Sequence, residues 1–529
     1  MKVPVHLSTA FGKLFEERIQ RFIWEKKLMP EGDALTSHRF LSRSVLPHLR
    51  KLSDRFNRLT EEATPEGEEV VLARHGRPRA KPATQAEGLD PYWKTGSRPE
   101  NLRLAYFLYF MPPNLFRVAA VWSELARLGF RWPDGRKLKG IEFGAGPASG
   151  ACGIAAGERY APTGLPPDGN WALIEQDRAM LELGAKWAEN YFNEGTPAVE
   201  ASEDGTEPAR DAERAFPWDV RTFHRTLTMD QPLLPAAAPR FNLMVMSYFL
   251  NESAESPALV ARRLMATWTD HLEDEGMVIL VEPALKLQSR KLLEIRAELL
   301  KLINGETSDV NGAEDEPTDA PTLAARSEMV AQSKRPDQDG EKWRARRPER
   351  EVARGRESGK TRTAKNSENS VRSKKSAAAE VAKMQILLPC LGHQACGALA
   401  KEDDWCHEEV SWWRPPYFRV LDQLAGLDRK TLPFSYLVLT KSSRRRETIL
   451  PALGGTLADA RFRLVSPGYS QGREREFFVC GTEGKRRARI KPESKEDDAA
   501  QLDRGDILLD AEIRGDVNAS RVASVKKIL

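Results

Sequence analysis

The sequence has few cysteines and no long apolar segment. Five cysteines are spread over 529 residues, and no apolar run approaches the roughly 20 residues needed to cross a bilayer. The first residues lack the apolar core of a secretory signal, and Glu16, Glu17 and Glu25 argue against a transit peptide. Without an export signal there is no oxidising compartment to favour disulfides. We therefore expect a soluble protein in a reducing compartment, with no membrane partner.

The chain also lacks a strong excess of charge of one sign. It contains 81 Lys+Arg against 77 Asp+Glu, a formal net charge of +4. Any nucleic acid would have to be bound by local basic patches. A chain of this length with 40% hydrophobic residues is expected to form two or three structural units.

Changes in composition divide the chain into five parts. Residues 1–135 are predicted to form an N-terminal helical region with an exposed, proline-containing linker near 61–96. The other parts are a core of strands and helices (136–303), a charged insertion (304–382), a segment with four cysteines and the last strands (383–493), and a polar C-terminal tail (494–529). The insertion has almost no large apolar residues, so we expect it to be disordered.

Short apolar runs alternate with helical stretches along the core. Four of these runs are continuous, as buried parallel strands are: Trp171–Glu175, Phe241–Met246, Gly276–Glu282 and Phe434–Leu439. The pattern predicts an α/β fold with a doubly wound, Rossmann-like sheet. Two later segments, 462–465 and 476–480, are predicted to form a hairpin. We expect its last strand to pair antiparallel with the fifth strand of the sheet.

A glycine-rich loop follows the first predicted strand of the core. It reads Gly140-Ile-Glu142-Phe-Gly144-Ala145-Gly146-Pro-Ala-Ser-Gly150 and precedes a helix of small residues. Glycines let the backbone turn sharply and approach a ligand closely. The loop differs from the G-x-G-x-x-G pattern of dinucleotide sites. An acidic residue before the first glycine is typical of class I S-adenosylmethionine-dependent methyltransferases, and Glu142 suits the cationic methionyl end of that ligand.

Three further acids are candidate ligands for the nucleoside. Glu175 ends the next strand, where a carboxylate can accept hydrogen bonds from both ribose hydroxyls. Asp177 is the reserve candidate for the ribose, and Asp230 is the candidate for the adenine amino group. Together with Glu142, Gly144, Ala145 and Gly146, these acids form the predicted cofactor site.

Four cysteines, Cys390, Cys396, Cys406 and Cys480, lie in the last third of the chain. Their spacing lacks the paired C-x-x-C knuckles of common structural zinc sites. A loop plus a distant fourth thiolate is compatible with an iron-sulfur cluster. Zinc bound with help from His393 or His407, and four unrelated buried cysteines, remain alternatives. Cys152 is interpreted as a packing residue.

We expect the cysteine site to lie away from the nucleotide loop and to be structural. Basic and aromatic residues nearby predict a surface for RNA backbone contact and base stacking. They are Trp412, Trp413, Arg414, Tyr417, Arg419, Lys441, Arg444, Arg445, Arg446, Lys485, Arg486, Arg487 and Arg489.

These motifs together resemble the methyltransferase-like assembly factors of the small ribosomal subunit, a family of bacteria and mitochondria. The resemblance spans roughly Leu102 to Gly484 and depends on six segments. They are Ala105-Tyr-Phe-Leu-Tyr-Phe-Met-Pro, Glu142-Phe-Gly-Ala-Gly-Pro, Ser247-Tyr-Phe-Leu-Asn-Glu252, Val281-Glu-Pro283, the cysteine segment from Pro389 to His407, and Phe478-Val-Cys480. This chain departs from the family after Pro283, where Ala284-Leu285-Lys286 replaces Gly-Thr-Pro, and in its long insertion.

The resemblance implies an S-adenosylmethionine site, a 4Fe-4S cluster on Cys390, Cys396, Cys406 and Cys480, and association with small-subunit ribosomal RNA. It also implies the bacterial cytoplasm or the mitochondrial matrix, and we expect a monomer. Three functions follow as alternatives: an RNA methyltransferase, a non-catalytic assembly factor, and a zinc protein with a degenerate nucleotide fold. No catalytic base is evident, since Asn251-Glu252 could equally cap the next helix.

Overall fold

The structure is a computed structural model of the chain. It describes residues 5–29, 33–52, 99–193, 215–306, 381, 383–393, 395–412, 414–451, 462–472, 474–481, 484–491, 500–509, 512–514, 520–524 and 527–528. The predicted linker near 61–96 and most of the predicted charged insertion lie outside these residues.

The helices number ten in the described parts of the chain. They are α1 (Val5–Glu25), α2 (His38–Phe40), α3 (Pro99–Tyr109), α4 (Met111–Arg127), α5 (Ser149–Tyr160), α6 (Arg178–Asn193), α7 (Pro257–His271), α8 (Lys286–Ile303), α9 (Pro416–Ala425) and α10 (Arg446–Ile449). A π-helical turn, Leu41–Val45, continues α2.

Sixteen strands are seen in the same residues. They are β1 (Leu138–Phe143), β2 (Gly169–Glu175), β3 (Asp219–His224), β4 (Phe241–Ser247), β5 (Leu272–Pro283), β6 (Met384–Leu388), β7 (Glu408–Ser411), β8 (Thr431–Lys441), β9 (Phe462–Leu464), β10 (Tyr469–Gln471), β11 (Glu474–Gly481), β12 (Gly484–Ile490), β13 (Ile507–Leu509), β14 (Glu512–Arg514), β15 (Ser520–Ser524) and β16 (Lys527–Ile528).

The central sheet has the strand order β3-β2-β1-β4-β5-β8-β6. The strands β1 to β5 are parallel, whereas β8 is antiparallel to both β5 and β6. This order confirms the predicted doubly wound α/β sheet. It reverses between β1 and β4, which is where such sheets bind ligands at the carboxyl ends of their strands.

The strand beside β5 differs from the predicted one. The segment 476–480 was expected there, but the position is taken by β8, whose residues Phe434–Leu439 were expected to run parallel. In the structure Pro283 pairs with Phe434 and Gly276 with Lys441, so β8 is antiparallel. The apolar composition of a run indicates burial on both faces but does not determine strand direction, so the prediction could not separate the two arrangements.

A second sheet contains β9 to β16. Val479 of β11 pairs antiparallel with Leu464 of β9, so the two predicted hairpin segments do pair, with β10 between them in the chain. The region expected to be a polar tail contributes the strands β13 to β16. Its short apolar run packs because Ile507 and Leu508 are fully buried, Ile507 against the main core and Leu508 against the second sheet.

A buried ionic network joins the second sheet to the core. Arg463 on β9 donates to Glu124 of α4 at 2.8 Å and to Glu408 of β7 at 3.0 Å. Burial alone would raise the pKa of Glu124, but Arg463 and Arg127 lower it to about 2. Because removing one partner would leave a buried charge without a counter-ion, the network fixes how the two sheets dock.

Helices α3 and α4 pass through the middle of the protein. Residues 99–127 are long and apolar enough to cross a membrane by length and composition alone, but 83% of that window is buried inside the protein. The small-residue helix α5 packs on α4 at very short range. A side chain at Gly153 or Gly157 would meet Val118 or Trp122 at 2.6 to 2.7 Å, so only glycine fits there. Buried packing explains this apolar segment.

Candidate functional site

A cleft of about 410 Å³ opens at the carboxyl ends of β1, β2 and β4. The glycine loop, the end of β2, the segment after β3 and the segment after β4 form its walls. The described residues that line it are Tyr106, Gly144, Gly146, Ile174, Glu175, Gln176, Met180, Arg225, Thr226, Leu227, Thr228, Met229, Ser247, Tyr248, Phe249, Glu252, Ser253, Ala254 and Glu255. The cleft thus lies at the point where the strand order of the sheet reverses.

The glycine loop and Glu175 meet in this cleft, as the sequence predicts. Gly144 and Gly146 adopt φ values of +61° and +50°, a conformation that favours glycine. The Glu175 carboxylate accepts hydrogen bonds from the backbone amides of Gly146 at 3.0 Å, Gln176 at 2.9 Å and Asp177 at 3.0 Å. Burial raises the pKa of Glu175 despite these bonds. Ala145 lies between the glycines and is buried.

Glu142 does not line the cleft. Its side chain is 1% exposed and accepts hydrogen bonds from the amides of Gly150 at 2.7 Å and Ala151 at 2.9 Å, at the start of α5. Burial raises its pKa to about 8. Because its oxygens are occupied by the first turn of the helix, Glu142 fixes the direction of α5 and has no direct contact to offer a ligand.

Asp177 and Asp230 also lie outside the cleft lining. Asp177 forms a two-point ion pair with Arg103 of α3, both bonds at 2.8 Å, and accepts from the amide of Met180 at 2.7 Å. Asp230 is exposed, whereas the five residues before it, 225–229, line the cleft. The sequence places both acids near the right strand ends, but side-chain direction depends on loop conformation, which the spacing does not give.

The segment after β4 supplies cleft residues that the sequence did not assign to the cofactor site. Ser247, the last residue of β4, is 8% exposed, and its Oγ is buried without a hydrogen-bond partner. Tyr248 has a φ of +60°, which is unusual for a bulky residue and costs backbone energy. Such strain is concentrated at ligand sites. The sequence feature that could have identified Ser247 is a polar residue at the carboxyl end of a buried strand.

Glu282 at the end of β5 holds this segment in place. Its carboxylate accepts hydrogen bonds from the amides of Phe249 at 3.2 Å, Leu250 at 2.8 Å and Asn251 at 3.1 Å. Burial raises the pKa of Glu282 to about 8. The N-cap of α7 is Ser256, so Asn251 and Glu252 do not cap that helix and Glu252 faces the cleft.

The charge of the cleft favours a cation over a phosphate. Among the described lining residues, the carboxylates of Glu175, Glu252 and Glu255 are opposed by the guanidinium of Arg225. A dinucleotide would bring phosphates to this acidic surface, whereas a sulfonium ligand would bring positive charge. The lining is therefore suited to a nucleoside with a cationic substituent.

The thiols of the four late cysteines affect one another's pKa values. Burial, followed by the neighbouring thiols of Cys390, Cys480 and Cys396, raises the pKa of Cys406 well above its usual value. Burial, Cys390 and Cys396 raise the pKa of Cys480 to about 12. The fold thus brings together thiols from a loop and from β11. Within the described residues, no group of three or more His, Cys, Asp or Glu side chains has the geometry of a metal site.

Three arginines hold the cysteine-bearing loop by its backbone. Arg446 of α10 donates to the carbonyl oxygen of Cys390 at 2.6 Å, and Arg296 of α8 donates to Gly392 at 3.0 Å. Arg290 of α8 donates to the carbonyl oxygens of Lys401 and Asp404, both at 2.7 Å. Of the three, Arg296 also acts on the thiols of Cys396 and Cys480, where its positive charge favours the thiolate form.

The two histidines of the zinc alternative have different surroundings. The ring of His393 is engaged by the backbone of Ile386, with its Nε2 3.1 Å from the amide nitrogen. The Nδ1 atom of His407 is buried and has no hydrogen-bond partner. His407 is therefore the better placed of the two to act as an additional ligand.

Part of the predicted basic and aromatic surface is buried. Trp412, Tyr417, Lys441 and Arg486 are at most 8% exposed, because they pack in the core or bond to its backbone. Trp413 lies outside the described residues. The amphipathic and basic patterns in the sequence could not separate packed side chains from exposed ones.

Three members of the set, Lys485, Arg487 and Arg489, lie on one face of the second sheet, on strand β12. On this face Cys480 pairs with Lys485, Phe478 with Arg487 and Glu476 with Arg489. Lys485 lies 5.0 Å from the ring centroid of Phe478, and Arg487 lies 5.8 Å from it. We name these six residues the basic face. It is continuous with the cysteine loop.

Comparison with known proteins gives structural neighbours but no sequence relative. No family model and no curated protein matches the chain. The plantazolicin methyltransferase BpumL in complex with SAH has 6% identity and a TM-score of 0.24, with 66% of this chain and 92% of that chain covered. Precorrin-6y C5,15-methyltransferase from Geobacter metallireducens has 14% identity and a TM-score of 0.21, covering 34% and 69%.

A third neighbour is a putative S-adenosylmethionine-dependent methyltransferase from Listeria monocytogenes. It has 17% identity and a TM-score of 0.19, with 33% of this chain and 59% of that chain covered. Since these TM-scores lie below 0.5, the fold assignment depends on the strand order and directions described above. By that order and those directions the chain has a doubly wound α/β fold with two antiparallel strands at one edge of its central sheet.

Proposed function

We propose that the chain binds S-adenosylmethionine in the cleft and acts on, or binds, RNA of the small ribosomal subunit. The observation that carries the cofactor is the meeting of the glycine loop and Glu175 in an acid-rich cleft at the switch point of the sheet. The Glu175 carboxylate is held by three backbone amides and suits the ribose hydroxyls. When bound, S-adenosylmethionine supplies an electrophilic methyl group.

Different residues of the chain have different roles at this site. Gly144 and Gly146 let the backbone approach the ligand, while Glu142 and Glu282 hold the loops on either side. Ser247 offers a buried hydroxyl that lacks a protein partner and can bond to the ligand. Charge on the cleft wall then favours the sulfonium form of the cofactor over the neutral product.

RNA is supported as the partner by the basic face of the second sheet. Lys485, Arg487 and Arg489 lie on the same side of β12, where Lys485 pairs with Asp404 and both arginines pair with Glu476, and Phe478 lies opposite Arg487 on β11. Cations track phosphates and an aromatic ring stacks on bases. The association with the small ribosomal subunit extends the resemblance seen in the sequence.

A 4Fe-4S cluster is proposed for Cys390, Cys396, Cys406 and Cys480, with zinc as the alternative. The proposal is supported by the chemistry of four soft thiol ligands and by the arginines that bond to the backbone of the loop carrying three of them. The cluster would link the loop after β6 to the end of β11. Its role would be to hold the basic face against the core.

A non-catalytic assembly factor is the second candidate, because the two tyrosines of the cleft stay in their protonated form and cannot act as general bases. Burial and neighbouring carboxylates raise the pKa of Tyr106 far above its usual value, and burial also raises that of Tyr248. Both phenols therefore stay protonated at neutral pH. Glu252 and Glu175 are the cleft carboxylates that act on Tyr106, and Glu252 is the one of the two that is not held by the glycine loop.

Methyl incorporation separates the two candidates. Purified protein would be incubated with methyl-labelled S-adenosylmethionine and small ribosomal subunits, and binding of the cofactor would be measured in parallel by calorimetry. Incorporation that is lost in Glu252→Gln supports the enzyme. Binding without incorporation supports the non-catalytic factor, and absence of binding contradicts the cofactor proposal itself.

A further inference from the structure

Two buried side chains beside the cysteine site have polar atoms that lack a partner. The hydroxyl of Tyr436, on β8, and the Nη2 atom of Arg463, on β9, form no hydrogen bond within the described part of the chain. Tyr436 is 2% exposed and Arg463 is 1% exposed. Because buried polar groups are normally hydrogen-bonded, each of these two atoms requires an explanation.

Strand pairing places Arg463 beside one of the four late cysteines. Cys480 of β11 pairs directly with Arg463 of β9. Residues opposite each other in an antiparallel pair project to the same face of the sheet, with their Cβ atoms about 5 Å apart. The Nε and Nη1 atoms of Arg463 already bond to Glu408 and Glu124. The Nη2 atom therefore remains as the donor for an acceptor at Cys480.

A hydrogen bond and the strand register place Tyr436 beside a second cysteine. Strands β7 and β8 are antiparallel, with Glu408 opposite Phe434. The same register, extended by two residues, puts Cys406 opposite Tyr436. In agreement with this, the carbonyl oxygen of Cys406 accepts a hydrogen bond at 2.9 Å from the Oγ atom of Ser435, the residue before Tyr436. The free hydroxyl thus belongs to the neighbour of Cys406.

The chemistry of the two atoms indicates which partner they would take. A guanidinium only donates hydrogen bonds, and a phenol donates through its O–H group. A neutral thiol is a weak acceptor, but metal binding requires the thiols to lose their protons. The sulfur atoms then carry negative charge, and hydrogen bonds to charged acceptors are the strong ones. Metal binding at the cysteines would therefore create the acceptors that Tyr436 and Arg463 lack.

We propose that the Tyr436 hydroxyl and the Nη2 atom of Arg463 donate hydrogen bonds to the sulfur atoms of the metal site, the first at Cys406 and the second at Cys480. This inference rests on the proposed function, since it requires a metal or cluster on the four thiolates. Both are positioning residues, because they act on the ligands and not on the metal. Arg463 also links the site to the buried ionic network between the two sheets.

Removing the Tyr436 hydroxyl tests the first bond. Full-length wild-type protein and Tyr436→Phe would be purified anaerobically, and iron or zinc release to an excess of chelator would be followed by absorption. We expect release about tenfold faster in the variant, since loss of an outer partner of a metal ligand typically lowers metal affinity by about 10–100-fold. The metal-free variant should melt at the same temperature as metal-free wild type or slightly higher, because the deleted hydroxyl has no partner there.

Tyr417→Phe is the matched control for this substitution. Tyr417 is also a fully buried tyrosine, but its hydroxyl donates to the carbonyl oxygen of Leu108 at 2.9 Å. Its loss should lower the melting temperature and leave metal release unchanged.

Arg463→Lys tests the second bond. Lysine keeps the charge but has a single nitrogen, which cannot serve Glu124, Glu408 and a thiolate together, so stability should fall and metal release should accelerate. Glu124→Gln disturbs the same network and keeps the Nη2 atom, so it should cost stability with release close to that of wild type. Equal release rates in these two variants would overturn the role of Arg463.

The outcomes separate this inference from the metal proposal. Unchanged metal release in Tyr436→Phe, or a metal-free variant that is less stable than metal-free wild type, overturns the Tyr436 bond and leaves the metal site in place. A wild-type protein that retains neither iron nor zinc after anaerobic purification and reconstitution overturns the metal proposal, and this inference with it.

Discussion

The cleft and the cysteine loop are two candidate sites built in different ways. The cleft lies at the ends of neighbouring parallel strands, and its main residues are held by backbone amides within a few positions of each other or on the next strand. The cysteine loop is held by arginines from two helices and is completed by Cys480 on a second sheet. The first depends on local geometry, and the second depends on the docking of distant segments.

The largest expected effect is at the cysteine loop. Cys396→Ser should abolish visible iron-sulfur absorption in anaerobically purified protein and lower the melting temperature by about 10 °C, because ligand binding energy contributes to folding. Absorption spectroscopy, metal analysis and thermal unfolding would measure both effects.

Cys152→Ala is the matched control, since Cys152 is a fully buried cysteine in α5 far from the loop in sequence. It should retain the absorption. A colourless wild-type protein that contains zinc would replace the cluster with the alternative metal, and a metal-free, stable protein would remove the metal site.

The second effect concerns the glycine loop. A Cβ at Gly144 would lie 2.7 Å from the ring of Phe249, and its φ is +61°. Gly144→Ala should therefore weaken S-adenosylhomocysteine binding by about a hundredfold and destabilise the fold by about 1–2 kcal/mol. Gly135→Ala has a similar φ of +70° with open space around it. It should cost similar stability without affecting binding, and equal affinity losses in both variants would argue against the cleft as the ligand site.

The third effect is a pH dependence from Glu282. Its folded pKa of about 8 lies above its ordinary value of 4.5. Its contribution to stability is therefore fully present below pH 4.5 and is lost as the pH rises through 8. Glu282→Gln cannot ionise, so the fall in the free energy of unfolding between pH 5 and 8 should be shallower by about 1 kcal/mol per pH unit. Urea unfolding at several pH values measures this, and parallel curves for both proteins would contradict it.

The smallest effect is expected at Ser247. Its hydroxyl is buried without a protein partner, so Ser247→Ala should leave the unliganded protein equally stable or slightly more stable. Affinity for S-adenosylhomocysteine or for the acceptor should fall by about fivefold, because the hydroxyl is free to bond to a ligand. Ser289→Ala is the contrast, since the Ser289 hydroxyl bonds to Ser435 at 2.7 Å. It should cost stability and leave affinity unchanged.

The cleft depends on local geometry and the cysteine loop on the docking of distant segments, and this difference explains how much of each site the sequence predicts. The glycine loop and Glu175 were found from the sequence because a strand, a tight turn and a helix are encoded within about 35 residues. Glu142 was placed in the same motif, but its carboxylate turns to the amides of α5. Motif position gives the backbone location of a residue, whereas the direction of its side chain depends on which buried donors lack a partner.

The edge of the central sheet shows more clearly what the sequence does not predict, namely which strand pairs with β5. The segments now seen as β8 and β11 are both short and apolar, and the sequence predicted the second as the partner of β5. The structure selects β8, because Glu408–Ser411 and Pro416–Ala425 bring the chain directly back to the edge of β5. Strands β11 and β12 instead form a second sheet with strands of the C-terminal residues.

The sequence by itself determined the α/β class, the meeting of the glycine loop with Glu175 at one edge of the sheet and the pairing of β9 with β11, because hydrophobic periodicity and glycine turns act over short stretches of chain. Only the tertiary structure decided which acids face the cleft, which of the predicted basic and aromatic residues are buried, and that Arg463 joins Glu124 and Glu408. Those arrangements join residues hundreds of positions apart, and they depend on how whole elements pack.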